Sequence, residues 1–144
     1  MRSQSAIVVA AALGAVLVAA CTISETGRAC DRACLIALAD SYLEALAARD
    51  PGALPLSDHV SFVENVKAMR PGEGLWASAA GTATGFRIYV PDPGQSAVGI
   101  MTVIDRQTEN GIVPALLAVR LRVEAGKITE AEHQIGRASC RERV

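Results

Sequence analysis

One helix-length segment followed by five strand-length segments, with little between them except turns, leaves this chain few ways to fold. From Asp31 to Ala48 the apolar residues Leu35, Leu38, Tyr42 and Leu46 recur at intervals of three and four, the spacing that gathers them on one helix face. Asp31 stands where a side chain caps the first turn. Pro51 disfavours helix at Asp50 and Gly52 adds a second break, so ARDPGALPL closes the helix. HVSFVEN then alternates, with Val60, Phe62 and Glu64 on one face and Ser61, Val63 and Asn65 on the other. MRPGEGLWASAAG is turn-rich, with one helical turn expected around Leu75 to Ala79. TGFRIYV, SAVGIMTVID, VPALLAVRLRV and KITEAEHQ follow as strands, separated by the turn clusters PDPGQ, RQTENG and EAG. This order predicts an α+β fold in which a strongly curved antiparallel sheet wraps the N-terminal helix.

The last hairpin carries enough pattern to assign a register. In RVEAGKI the glycine closing the turn suits a type I turn with a glycine bulge, pairing Val123 with Lys127 and Arg120 with Glu130. Leu117, Val119, Leu121 and Val123 then share the core face with Thr129, Ala131 and His133. Arg120, Arg122, Glu130 and Glu132 form a charged ladder on the other face.

The two ends read differently from this body. MRSQSAIVVAAALGAVLVAAC has a basic start at Arg2, an uncharged apolar run from Ala6 to Ala20, and small residues before Cys21. The run is shorter than the about 20 residues a membrane span needs, so residues 1–20 read as a secretory signal and the protein as exported. LVAAC resembles the lipobox of bacterial lipoproteins, which makes Cys21 the expected lipidation site and membrane tether; cleavage at an ordinary signal site, giving a periplasmic or secreted form, is the other reading. Residues 21–29 are a polar tether. The final ten residues, IGRASCRERV, match one reading frame of a common sequencing adapter, so residues 135–144 are expected to be foreign to the protein and Cys140 is set aside.

Between the two ends, residues 21–134 hold 10 basic and 14 acidic residues, a net charge of about −4. Nucleic acid is excluded as an expected partner, because neutralising phosphates needs clustered Lys and Arg. There is no Ser/His/Asp order, no phosphate-cradling glycine loop and no metal-ligand cluster, so neither cofactor nor metal is expected. Cys30 and Cys34 lie four apart at the helix start and read as structural cysteines, pairing locally or with cysteines of a further segment.

CDRACL, YLEALAARDPGALPL, FVEN, GEGLW, RIYVPDP and LLAVRLRVEAGKITE, in that order, resemble a family of secreted bacterial and fungal proteins similar to the nuclear transport factor 2-like superfamily, which includes polyketide cyclases and ketosteroid isomerases. The resemblance spans roughly Ala29 to Glu132. It implies a cone, a bent sheet around helices with a pocket at the wide end, and a domain over residues 30–134 that continues in a segment this chain lacks. Val66 departs from the pattern, which has glycine after the Glu-Asn pair. A homodimer through the sheet face is a further expectation.

Within such a cone, Glu64 is the leading acid/base candidate, because a carboxylate at the end of an apolar strip has its pKa pushed upward. The competing reading is an ion pair with Arg87. Tyr42, Phe62, Trp76, Arg87, Tyr89 and His133 complete the expected pocket, His133 through its place on the core face of the last hairpin. Asp58 and His59 are discounted as a relay, since adjacent strand residues point to opposite faces. Two functions follow as expectations: a noncatalytic domain that binds a small apolar molecule or a partner, and a cofactor-independent lyase or isomerase acting on a small apolar substrate. Fold alone does not choose between them.

Overall fold

The computed structural model describes residues 30–81 and 85–137. The expected signal, Cys21, the tether as far as residue 29 and the tail from residue 138 lie outside the described residues. Helix α1 runs Arg32–Ala48, and Asp31 caps it as expected, its Oδ1 accepting from Cys34 N at 2.9 Å. Cys30 and Cys34 are joined by a disulfide across this cap. At the far end Arg49 takes a left-handed conformation (φ 59°) and its N–H closes on the last carbonyls, so the chain turns away before Pro51.

Six strands form one sheet: β1 Leu56–Glu64, β2 Lys67–Met69, β3 Arg87–Asp92, β4 Ala97–Thr108, β5 Gly111–Glu124 and β6 Lys127–Arg137, in the order β2-β1-β6-β5-β4-β3. A one-turn helix, α2 (Leu75–Ser78), sits where the sequence placed a helical turn. At least five strands are expected and β2 is the sixth; one expectation is corrected, since β1 runs parallel to β6 and the sheet is mixed rather than antiparallel throughout. Parallel pairing needs a long crossover, here all of β2 to β5, and no local pattern announces it.

Alternation decides the rest. Val98, Ile100, Thr102 and Ile104 of β4 are buried, as are Ala115, Leu117, Val119, Leu121 and Val123 of β5, so one face of the sheet packs on α1 and α2. Leu35, Ala39, Tyr42, Leu43 and Leu46 meet it from α1, and Leu75 and Trp76 from α2. Each such side chain withdrawn from water contributes roughly 1.5–3 kcal/mol before the entropy of ordering it is charged. The buried hydroxyl of Thr102 on β4 donates to Phe86 O at 2.8 Å.

The β5–β6 hairpin differs in register from the sequence reading. Glu124, not Val123, pairs with Lys127, because Ala125 and Gly126 both take positive φ (49° and 76°) and make a two-residue loop. A one-residue bulge then sets Arg122 opposite Glu130 and Arg120 opposite Glu132. The bulge restores parity: Ala131 and His133 still face the core, while Ile128 takes the buried place expected of Thr129. Arg120 still reaches Glu130, at 2.9 Å, along the diagonal.

The strand also continues past the expected boundary at residue 134. Ile135, Gly136 and Arg137 pair with Leu117, Leu116 and Ala115. A ladder requires only backbone N–H and C=O groups, so these three residues extend β6 whatever their origin.

Candidate functional site

Because β1 and β6 are parallel, Glu64 is the direct neighbour of His133, and Phe62 of Ala131. The four side chains share the concave face. His133 is fully buried, with its Nδ1 at 3.3 Å from Glu64 Oε2 and its Nε2 at 2.9 Å from the hydroxyl of Tyr42 on α1. The Glu64 carboxylate also accepts from Leu75 N, at 2.9 and 3.2 Å, and so caps α2 from outside. Gly74 makes that approach feasible: it sits at φ 64°, and a Cβ there would collide with the carboxylate. Phe62 and Tyr42 stand edge-on to the His133 ring with centroids 4.9 and 5.7 Å away, and Trp76 stands edge-on to Tyr42 at 5.4 Å.

The charge states follow from these contacts. Burial by itself would raise the Glu64 pKa. The hydrogen bonds from His133 and Leu75 N and the charge of Arg106 outweigh it and leave Glu64 below the usual carboxylate range. This corrects the expectation of a raised pKa: Glu64 is an anion at neutral pH and not a held acid. Burial, reinforced by the Glu64 charge and partly offset by the nearby Trp76 indole, pushes the Tyr42 hydroxyl far above the usual phenol range. A carboxylate can only accept, so His133 Nδ1 donates to Glu64, and the Tyr42 hydroxyl, which keeps its proton, is placed to donate to Nε2. Glu64, His133 and Tyr42 thus form a continuous carboxylate–imidazole–phenol chain.

Arg87 is not a partner of Glu64. It binds Asp40 of α1 at 2.6 Å, and the Tyr89 hydroxyl donates to the same carboxylate oxygen, clamping edge strand β3 to the helix. Burial and the Asp40 bond hold Tyr89 above the usual phenol range. The seven residues expected to line one pocket therefore divide in two. Glu64, His133, Tyr42, Phe62 and Trp76 form one close-packed cluster, and Arg87 and Tyr89 belong to a separate clamp. Tyr42, Phe62, Trp76 and His133 are 0–3% exposed. Asp58 and His59 are both exposed.

The cavity lies one step further along the same face. It encloses about 520 Å³ at the end of the sheet where α1 and α2 no longer cover it, against Asn65, Arg106, Val113, Ala115, Ile135 and Arg137 among others. Sequence reasoning missed Asn65 and Arg106. The alternation Val98, Ile100, Thr102, Ile104 extends by two residues to put Arg106 on the concave face, a signal lost by ending that strand at Asp105. Among the described residues no cluster of three or more His, Cys, Asp or Glu could hold a metal ion.

Residues 28–135 match the model of the family described as Domain of unknown function (DUF8021). The chain belongs to the DUF8021 family. No curated protein matches the DUF8021 chain in sequence. Its fold is nonetheless shared with solved structures. AusH from Aspergillus nidulans is 12% identical with a TM-score of 0.60 over 76% of this chain and 88% of its own. A candidate polyketide cyclase from Xanthomonas campestris pv. campestris is 15% identical with a TM-score of 0.55 over 69% and 88%. A protein of ketosteroid isomerase-like fold from Catenulispora acidiphila DSM 44928, solved in complex with trimethylamine, is 14% identical with a TM-score of 0.52 over 67% and 82%. At these identities the likeness establishes the fold: the DUF8021 domain is an α+β cone of the nuclear transport factor 2-like type, one main helix packed in a six-stranded curved sheet.

Proposed function

We propose that this DUF8021 domain is the small-molecule-binding domain of an exported protein, tethered to a membrane by lipid on Cys21, and that its ligand occupies the cavity at the open end of the sheet. The observation that carries the reading is the concave face itself, which outruns its two helices and leaves about 520 Å³ between apolar walls with three polar side chains, Asn65, Arg106 and Arg137. That volume lies within the range of roughly 300–1,000 Å³ typical of small-ligand sites. The solved relatives fit the same reading, one with trimethylamine bound and another a candidate polyketide cyclase.

Binding is preferred to catalysis because of how the acid/base groups are held. His133 is fully buried with both ring nitrogens engaged, and Tyr42 is sealed beside it. A general acid or base must reach the proton it moves. A cofactor-independent isomerase or lyase remains the second reading on one observation: Glu64 is ionised, and its side chain keeps 12% exposure next to the cavity-lining Asn65.

The test is a fragment screen on the intact chain by amide NMR, repeated with Val113→Trp to fill the cavity. Apolar fragments should shift the Asn65, Arg106 and Val113 amides, and Val113→Trp should abolish those shifts while preserving the rest of the spectrum. Fragments that bind equally well to the variant would refute the site. Substrate turnover abolished by Glu64→Gln with binding retained would move the function to the second reading.

A further inference from the structure

Arg106 differs from Arg87, Arg120 and Arg122 of the same sheet. Arg87 is paired with Asp40, Arg120 with Glu130 and Arg122 with Glu124, at 2.6, 2.9 and 3.2 Å. Arg106 makes no ion pair with any described residue, and its Nε is shielded from solvent with no hydrogen-bond partner. Its charge is felt at Glu64, but that carboxylate is already engaged by Leu75 N and His133. The Nε–H of Arg106 has lost hydration that no described residue replaces.

Asn65 completes the pattern. Its backbone N–H donates to His133 O at 2.9 Å and its Oδ1 accepts from Ile135 N at 2.8 Å, tying the β1–β2 turn to β6. Because a backbone N–H can only donate, this bond identifies the oxygen of the amide and leaves both Nδ2 hydrogens without a partner among the described residues, on a side chain that lines the cavity. The free side-chain polar capacity of Asn65 and Arg106 therefore consists of donors alone. Val113 and Ala115 form an apolar part of the wall, and Arg137, which also lines the cavity, adds donors and no acceptor.

We propose that the ligand of this cavity is an organic anion, an apolar body lying against Val113 and Ala115 and carrying a carboxylate that pairs with Arg106 and accepts from the Asn65 amide. The inference rests on the binding reading above and deepens it by naming the ligand class. A carboxylate matches the planar fork of a guanidinium with two parallel hydrogen bonds, which an alcohol cannot do and an ammonium opposes.

Octanoate, 1-octanol and octylammonium, equal in chain length and different in head group, separate this inference from the reading beneath it. Titrated into the intact chain at neutral pH and followed by the Asn65, Arg106 and Val113 amides, octanoate should bind at least tenfold more tightly than octanol, and octylammonium more weakly still. Arg106→Gln should weaken octanoate at least tenfold and leave octanol unchanged, with Arg106→Lys recovering part of the loss. Asn65→Asp keeps an acceptor for Ile135 N while placing a negative charge at the cavity, so it should also weaken octanoate selectively; it serves if Arg106→Gln fails to fold. Equal binding of octanoate and octanol in the cavity would leave the binding reading standing and overturn the anion. Octanoate affinity unchanged in Arg106→Gln, or no octanoate binding at all, would overturn it too.

Discussion

The Tyr42→Phe substitution tests the buried relay at its most enclosed point. It removes one oxygen and keeps the ring, so packing against Trp76 and Phe62 is nearly unchanged. What changes is His133 Nε2, which loses the 2.9 Å bond from the phenol. The ring is fully buried and Tyr42 is 1% exposed, so no solvent reaches the abandoned acceptor. Leaving a buried polar atom unsatisfied costs about 1–3 kcal/mol, more than the net worth of an ordinary hydrogen bond, because the desolvation of Nε2 is no longer offset. At about 4–8 °C per kcal/mol for a domain of this size, the melting temperature should fall by roughly 4–24 °C. Urea unfolding at pH 7 with the disulfide intact measures the difference. Tyr89→Phe serves as the comparison, since its hydroxyl meets a part-exposed carboxylate and should cost under about 1 kcal/mol. The same samples allow a direct look at the proton: ring ¹⁵N shifts should place it on Nδ1 of His133. A Tyr42→Phe variant as stable as the parent, or a proton found on Nε2, would refute the relay.

Four further outcomes are expected. Glu64 has its folded pKa below the ordinary 4.5, so its ionised form adds stability that is fully present above 4.5 and is lost as pH falls through the lower folded value; the advantage of the parent over Glu64→Gln should therefore shrink in urea titrations below pH 4.5 and be largest near neutrality. Val66 is 88% exposed at φ 61°, a conformation that costs an L-residue roughly 1–2 kcal/mol; after the extra chain entropy of glycine, Val66→Gly should stabilise by about 0.5–1 kcal/mol, and a lower melting temperature would contradict that. Mature protein from an exporting host should begin at Cys21 and carry acyl mass that Cys21→Ser abolishes, with an unmodified mass defeating the lipoprotein proposal. Removing residues 138–144 should leave the melting temperature within error, whereas removing 135–144 also strips the pairing of Ile135 to Arg137 with β5 and should lower it.

The sequence by itself determined the parts whose physics is local. The helix from Asp31 with its cap, its stop before Pro51, the turn of helix at Leu75 and the alternating strands were all legible, because spacing, capping and proline act within a few residues. The face shared by Leu117, Val119, Leu121, Ala131 and His133 was legible for the same reason. Even the misfit of Val66 showed as a missing glycine, and the structure places that residue at positive φ, as two-residue hairpin turns demand. The hairpin register was misjudged because Ala125 and Gly126 form a tighter loop than the glycine alone suggested, a choice settled by which residues of β6 could be buried. Only the tertiary structure decided the site. Tyr42 and His133 are 91 residues apart and Glu64 and His133 are 69 apart, and both contacts exist because β1 closes against β6 in parallel over α1. Asp40 claimed Arg87, which sequence reasoning had offered to Glu64, since packing brings α1 rather than β1 beside β3. Where a side chain lies along its own element is written in the local pattern, but which distant side chain satisfies it depends on the order of strands, and that order is a property of the whole buried surface.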